Sequence, residues 1–417
     1  MDQGGFLNLY NATPYTWQRT NVHSYQMNAW DGAFPETLAP GQQARCYIEF
    51  SQGAFENSGN DAGEVNFSLQ GTPYSFQIQV RGSPQFHLQV DWSSVQGKEG
   101  FFMFPSPSGS ANNPSPLGWM HDGTLTVALG YKNIPATQAT DPSNQWASMW
   151  MQMYAPVLQN LTVLQLTIPG THDSGTYDMV SIIGQNWTQC QDLDFTDQLN
   201  VGTRSFDMRI GYQSDQSGDQ RYILCHEKWR SNVTLANALQ QMVAFSNAHP
   251  QEIIVLDFHR FTSMNDDGID FSGLIQTIKN QLGGSLLPPS AQQQTLGQIW
   301  ASTKARIIVA FNNSPTDPSF WPGVNQQWAG SDVTDADGLQ AYLSEVMSTS
   351  LPGTLWSIQA AVAPNSGPPV LEPNLSNWFY AGTSWAKQAN ILAVDWVQKT
   401  TIPNIGVCAS MLKGLER

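Results

Sequence analysis

Charge is scarce in this chain. Only 12% of its 417 residues are Asp, Glu, Lys or Arg, against about 25% in an ordinary soluble protein. Basic residues are the scarcest: 18 Lys and Arg stand against 33 Asp and Glu, a net charge of −15. That argues against a nucleic-acid partner and against electrostatic capture by an anionic membrane. Long apolar runs are also missing; no stretch approaches the roughly 20 residues of a membrane span. Met1-Asp2-Gln3-Gly4-Gly5 has neither the basic start nor the apolar core of a signal peptide. The four cysteines, Cys46, Cys190, Cys225 and Cys408, are too few and too far apart for a disulfide scaffold or a zinc finger. Cys190 with Cys225 is the first disulfide to test, with buried thiols as the alternative. Sequons at Asn11, Asn66, Asn160, Asn186, Asn232, Asn312 and Asn374 lean towards a secreted or extracellular protein.

Short alternating runs fill the first third. Phe6-Leu7-Asn8-Leu9-Tyr10, Arg45–Phe50, Tyr74–Val80, Phe86–Val90 and Thr124–Leu129 each alternate apolar with polar residues, so one face is buried and one wet. Pro14, Pro40-Gly41, Gly82-Ser83-Pro84 and the tract 105–116 punctuate them. The spacing predicts an antiparallel β-sandwich over residues 1–135. Its histidines, His23, His87 and His121, are isolated and suit structural roles. Trp17, Trp30 and Trp119 belong to a membrane-facing surface, to the core or to the inter-domain seam.

Residues 136–145 form a Pro-rich linker without periodicity. From 146 to 417 the pattern changes to strands separated by helices, which predicts a parallel sheet. The strands are Val163–Ile168, Arg204–Ile210, Tyr222–Cys225, Ile253–Phe258, Arg306–Phe311, Leu355–Ala361 and Ile391–Val397, with helices at Leu235–Asn247, Phe271–Leu282 and Gly338–Ser348. Their number and the length suit a (β/α)8 barrel, whose chemistry sits at the strand ends. The region 312–350 carries little pattern. The chain is thus read as multidomain, a sandwich followed by a barrel.

Polar residues collect at the barrel strand ends. Leu166-Thr167-Ile168-Pro169-Gly170-Thr171 runs into His172-Asp173-Ser174-Gly175. Arg204–Ile210 puts Asp207 and Arg209 on one face by the period of two. His226 ends Tyr222–Cys225, Asp257, His259 and Arg260 end the next strand, and Asp395 ends the last. Two imidazoles, carboxylates and a guanidinium are what transfer at a phosphodiester needs: a base, an acid and a fixed positive charge on the phosphoryl oxygens.

Ile168–Gly175, Gly202-Thr203-Arg204-Ser205-Phe206-Asp207-Met208-Arg209 and His226 together resemble the X-type catalytic region of phosphatidylinositol-specific phospholipase C, in its bacterial, metal-independent branch. The resemblance covers residues 146–417 and implies a distorted TIM barrel. It implies His172 as general base towards the inositol 2-hydroxyl, Arg209 as the phosphate-binding residue, and His226 as general acid supported by Asp173. Asp395 is the candidate orienting His172. The products implied are a cyclic inositol phosphate and diacylglycerol from phosphatidylinositol or a glycosyl-phosphatidylinositol lipid at a membrane interface. Substrate contacts are expected from Asp207, Lys228, Asp257, His259, Arg260 and Trp187. Metal-using relatives carry an acidic Glu-x-Asp pair where this chain has Asp207-x-Arg209, so no metal cofactor is expected, with calcium or magnesium the alternative. Glu227-Lys228-Trp229 and Asp257–Arg260 depart from the family's head-group positions. Two other functions stay open: a metal-dependent sphingomyelinase D-like phospholipase, and a non-catalytic lipid- or sugar-binding protein. The first domain, through Asn11–Trp17 and Pro40-Gly41, resembles small fungal β-sandwich proteins that bind lipids or glycans.

Overall fold

A computed structural model describes the chain except for residues 1–2, 14, 41, 54–56, 96–100, 105–114, 120–123, 132–146, 181–186, 315, 350–352, 373, 380–383, 401 and 416–417. The expected linker 136–145 and His121 lie outside the described residues. The chain divides into two compact units, Met1–Asn133 and Ile134–Arg417.

The first unit holds eleven strands: β1 (Gln3–Ala12), β2 (Trp17–Tyr25), β3 (Met27–Ala29), β4 (Thr37–Leu38), β5 (Gln43–Phe50), β6 (Ala62–Leu69), β7 (Ser75–Arg81), β8 (His87–Asp91), β9 (Phe101–Phe104), β10 (Ser115–Gly118) and β11 (Thr124–Tyr131). They form a five-stranded sheet, β3-β5-β1-β11-β9, and a six-stranded sheet, β10-β8-β7-β6-β2-β4. Among the described residues all pairs of this unit are antiparallel but one: β1 runs parallel to β11, from Phe6 opposite Thr124 to Ala12 opposite Gly130. Alternation has the same period in either direction, so it does not announce a parallel pair. Leu7, Leu9, Ile48 and Phe50 of one sheet share a buried cluster with Trp17, Val65, Phe67 and Ile78 of the other. Trp17 and Trp30 lie within that cluster, and Trp119 packs edge-on to Phe50 at 5.2 Å. Trp17 and Trp30 are therefore core and not a membrane-facing surface, and Trp119 is partly buried against that core.

The second unit adds β12 (Ile168–Thr171), β13 (Ser205–Tyr212), β14 (Tyr222–His226), β15 (Trp229–Thr234), β16 (Ile254–Ser263), β17 (Ile307–Phe311), β18 (Trp321–Pro322), β19 (Asn325–Gln327), β20 (Trp356–Ala360) and β21 (Ile391–Val394). Eight of them follow one another in the order β18-β17-β16-β13-β12-β21-β20-β19, every neighbouring pair parallel. Only Gly323 and Val324 separate the two edge strands in sequence, so the sheet curls back towards its own start, consistent with a TIM-like barrel. β17, β20 and β21 are buried at every position, as strands covered on both faces must be. Helices Leu235–Ala248, Phe271–Leu282 and Ala336–Ser348 begin at side-chain caps from Thr234, Asp270 and Asp335, which satisfy backbone donors left open at a helix start. Leu239 and Met242 of the first of these join Phe206, Met208 and Leu256 of the strands in one core.

Three details differ from expectation. The Val163–Ile168 run is a single 3-10 turn, Val163–Gln165, and the strand is Ile168–Thr171. Pro169-Gly170 lies inside that strand instead of ending it; the Pro169 carbonyl still accepts from Arg204 N at 2.9 Å. β14 is not a barrel strand. It pairs antiparallel with β13 and with β15, a hairpin hung on the sheet.

Candidate active site

The strand ends that face the cavity mouth deliver the polar cluster. His172 follows β12, and its N–H donates to the Val394 carbonyl of β21 at 3.0 Å. Asp173 has φ +48°, a left-handed conformation that Asp tolerates better than most residues. Its N–H donates to Asp207 Oδ2 at 3.0 Å. The turn thereby presents two consecutive side chains to one site, which a regular strand cannot do. Trp396, with φ +52°, makes a similar bend directly after Asp395.

His172 sits between two partners. Its Nδ1 lies 2.8 Å from Asp395 Oδ1 and its Nε2 lies 2.7 Å from Arg209 Nη2. A guanidinium only donates, so Nε2 accepts and the ring proton sits on Nδ1, donated to Asp395. Arg209 is held on its other edges by Asp207 Oδ2 at Nε and by Asp173 Oδ2 at Nη1, each at 3.0 Å. His226, at the end of β14, approaches Asp173 Oδ2 through Nε2 at 3.5 Å. Gln191, which sequence reasoning missed, donates to the carbonyls of His172 (3.0 Å) and Val394 (2.8 Å) and accepts from Val397 N (3.2 Å). It pins the two backbones that carry the His172–Asp395 pair.

Burial and charge compete at each group. Burial pulls the His172 pKa down, but the Asp395 carboxylate outweighs it and the ring is held above its ordinary 6.5. Burial pushes Asp173 up to about 7 against the pull of Arg209. Asp207 also suffers burial, yet Arg209 and His172 bring it below the usual carboxylate value. Burial and the positive charges of Arg209 and His172 push His226 down to about 4. Near neutrality His226 is thus held neutral, and Asp173, 3.5 Å from its Nε2, is the one of the two that can carry a proton there.

A cavity of about 520 Å³ opens over the cluster, lined by His172, Arg209, His226 and Asp395. His259 and Arg260 line it too. A register shift between Met208 and Arg209 pairs Arg209 with Arg260, leaving His259 as an extra residue in β16; such a bulge re-aims side chains. Asp257 sits deeper and buried, accepting from Gln326 Nε2 at 2.7 Å, with Oδ1 3.8 Å from His259 Nδ1. Trp187 stands at the rim, 37% exposed, edge-on to His226 at 5.8 Å and to Trp229 at 5.4 Å. Lys228 corrects the expectation: on the two-residue turn of the β14–β15 hairpin, its Nζ is paired with Asp266 and donates to the Ser263 carbonyl, outside the cavity lining. Of the two readings of Cys190 and Cys225, a disulfide or buried thiols, the structure has the second: both are free and buried. His226 faces the cavity, so Cys225 beside it in β14 faces away, whereas Cys190 lines the cavity.

Gln326 and Trp328 escaped sequence reasoning. Gln326 bridges Asp257 and Asp207, and Trp328 lies flat against His172, centroids 5.4 Å apart and planes 13° apart. Both come from β19 and its end, a strand of three residues too short to show a period. Among the described residues, His172, Cys190 and Asp395 are the one group of His, Cys, Asp and Glu whose ligand atoms all lie within 4.8 Å of one another.

No family model matches the chain. PI-PLC X domain-containing protein 1 of Mus musculus is 26% identical over 244 residues, covering 52% of this chain and 68% of that protein. PI-PLC X domain-containing protein 2 of Homo sapiens is 28% identical over 225 residues, covering 48% and 72%. PI-PLC X domain-containing protein 3 of Danio rerio is 24% identical over 292 residues, 60% of this chain and 88% of that one. Among solved structures, a phosphatidylinositol-specific phospholipase C variant from S. aureus superposes with a TM-score of 0.50 at 18% identity, over 63% of this chain and 96% of that one; that likeness is one of fold.

Proposed function

The chain is PI-PLC X-domain-like, and from that and from its site we infer a metal-independent phosphodiesterase that cleaves the glycerol-side phosphodiester of phosphatidylinositol or of a glycosyl-phosphatidylinositol lipid. The observation that carries the reading is the tautomer of His172. Asp395 accepts a hydrogen bond from Nδ1–H and leaves a lone pair on Nε2, aimed at the guanidinium that would neutralise a phosphate.

The residues then have separate roles. A substrate hydroxyl replaces Arg209 on His172 Nε2 and gives up its proton there. Its oxygen attacks the neighbouring phosphorus and closes a five-membered cyclic phosphodiester. Arg209, fixed by Asp173 and Asp207, balances the charge that builds on the phosphoryl oxygens. Asp173, which can still carry a proton near neutrality, supplies it through His226 to the departing glycerol oxygen. Asp207 holds Arg209 and the Asp173 amide and carries no proton. Arg209 occupies the ground between Asp173 and Asp207, which is why a divalent cation is disfavoured there. Trp187, at the cavity rim beside Trp229, suits contact with a lipid interface. For the first unit the same reading includes an accessory lipid or glycan contact, with a cavity of about 420 Å³ lined by Asn28, Trp30, Asp31 and Tyr47 as the place to look.

Phosphorus NMR of the products formed from phosphatidylinositol vesicles, with and without EDTA, tests this. A cyclic phosphodiester in both conditions is expected. A product only when magnesium or calcium is restored supports the sphingomyelinase D-like alternative, and no product from any inositol lipid supports a non-catalytic binding protein.

A further inference from the structure

The cavity wall carries a donor set that phosphodiester cleavage does not use in full. Cys190 lies against the His172–Asp395 pair, and Sγ, an imidazole nitrogen and a carboxylate oxygen fall within 4.8 Å of one another, all buried. Cys190 has no disulfide partner and lines the same cavity as the other two. Its backbone is fixed on both sides: its N–H donates to Thr176 Oγ1 at 2.9 Å, and its carbonyl accepts from Trp396 N at 2.8 Å. The thiol is thus held on the segment between β12 and β13, facing residues from the ends of β12 and β21.

Thiolate, imidazole and carboxylate form a donor set suited to Zn²⁺, with bonds of about 2.0–2.3 Å in a tetrahedron. Such bonds put ligand atoms about 3.3–3.6 Å apart, so the set needs to contract by about 1 Å at its widest. The cavity leaves a fourth position for water. Magnesium and calcium prefer all-oxygen sites, so the sulfur selects a thiophilic ion.

We propose that Cys190, His172 and Asp395 form an inhibitory site for a thiophilic divalent cation, zinc foremost. The ion takes His172 through Nδ1, and the neutral ring keeps its one proton on Nε2. Cys190 releases its thiol proton to solvent. A doubly charged ion enters as one proton leaves, and the thiolate and the Asp395 carboxylate balance it. With Nε2 protonated, Arg209 loses its acceptor on the ring and must turn away from it, no lone pair remains for a substrate hydroxyl, and turnover stops until the ion is removed. The loss of turnover rests on the phosphodiesterase reading; the binding of the ion does not.

The test titrates the chelator-treated full chain with zinc chloride in competition with a chromophoric chelator, and separately with cobalt(II) under absorption spectroscopy. One zinc per chain and a thiolate-to-cobalt charge-transfer band are expected. Cys190→Ser should abolish the band and weaken zinc at least about tenfold, while Cys46→Ser and Cys225→Ser leave both unchanged. Equal zinc affinity in wild type and Cys190→Ser, or no thiolate band in the wild type, overturns the proposal. Circular dichroism checks the fold, and Cys190→Ala replaces the serine variant should that one misfold. Zinc should also stop release of cyclic phosphate from phosphatidylinositol in the wild type, reversibly with EDTA, and spare Cys190→Ser. Zinc binding as described without turnover by any form would remove the phosphodiesterase reading and leave the metal site standing.

Discussion

Arg209 donates to Nε2 of His172 across 2.7 Å while Asp395 accepts from Nδ1 of the same ring across 2.8 Å. The imidazole is therefore tautomer-locked before any substrate arrives. An amide at position 395 can donate to Nδ1 and move the ring proton to Nε2. Asp395→Asn should lower kcat on phosphatidylinositol by about 10²–10⁴, with the thermal midpoint little changed. Retention of more than about a tenth of the wild-type rate would show that Asp395 does not set the tautomer.

The pH profile follows from opposing requirements. His172, raised above 6.5 by Asp395 after burial is overcome, must be deprotonated to act as base, so activity climbs as pH passes its pKa. The acid pair must keep its proton, and Asp173 loses it near 7, so activity falls above that. A narrow bell in kcat/KM near neutrality is expected. Asp173→Asn leaves His226, held down at about 4 by burial and Arg209, as the sole acid. The falling limb should then move to lower pH and the rate at pH 7 should drop. An unmoved falling limb in Asp173→Asn would take Asp173 out of the acid's role.

Arg209→Lys keeps the charge and loses the fork. One ammonium cannot reproduce the planar set of contacts to His172, Asp173 and Asp207. A loss of about 10²–10³ in kcat is expected, larger than the change in KM. Steady-state kinetics on monomeric substrate separates the two.

Stability is expected to depend on a pair at the other end of β13. Arg204 and Glu252 are fully buried with Nη2 and Oε2 at 2.8 Å, and Arg204 also donates to the carbonyls of Leu199, Thr203, Ala147 and Ser148. Glu252→Gln should cost about 3–5 kcal/mol, because it leaves a buried charge without its counterion. Urea denaturation reads this out, and the folded fraction should keep its turnover.

Gly175 explains a spacing in the first motif. A Cβ there would stand 2.3 Å from Leu224 Cγ, two residues before His226. Gly175→Ala should displace β14, lowering activity and costing about 1–3 kcal/mol. Adding Leu224→Gly removes both the Cγ and the Cβ, the latter otherwise 2.5 Å away, so the double variant should regain activity relative to Gly175→Ala.

The candidate active site is largely legible in the sequence because each of its expected residues ends or lines a strand with its own apolar signal. His172-Asp173 follows Ile168–Thr171, Asp207 and Arg209 alternate along one strand, and Asp395 closes an apolar run. The left-handed backbone at Asp173 is not legible, since nothing in a composition shows that two neighbouring side chains face one way. Gln326 and Trp328 are hidden for another reason: β18 and β19 have two and three residues, and their place depends on the sheet curling round. Lys228 lies outside the cavity lining because its Nζ is tied to Asp266 and the Ser263 carbonyl, partners that no sequence pattern announces. The parallel β1–β11 pair in the first unit is silent in any periodicity.

β12 and β21 are neighbours in the sheet yet more than 200 residues apart in the chain; His172 and Asp395 are separated by 223 positions. A ribosome therefore releases the imidazole long before the carboxylate that primes it. On the proposed mechanism, a polypeptide that stops short of β21 has the base without its carboxylate, so competence waits for the closing strand to dock.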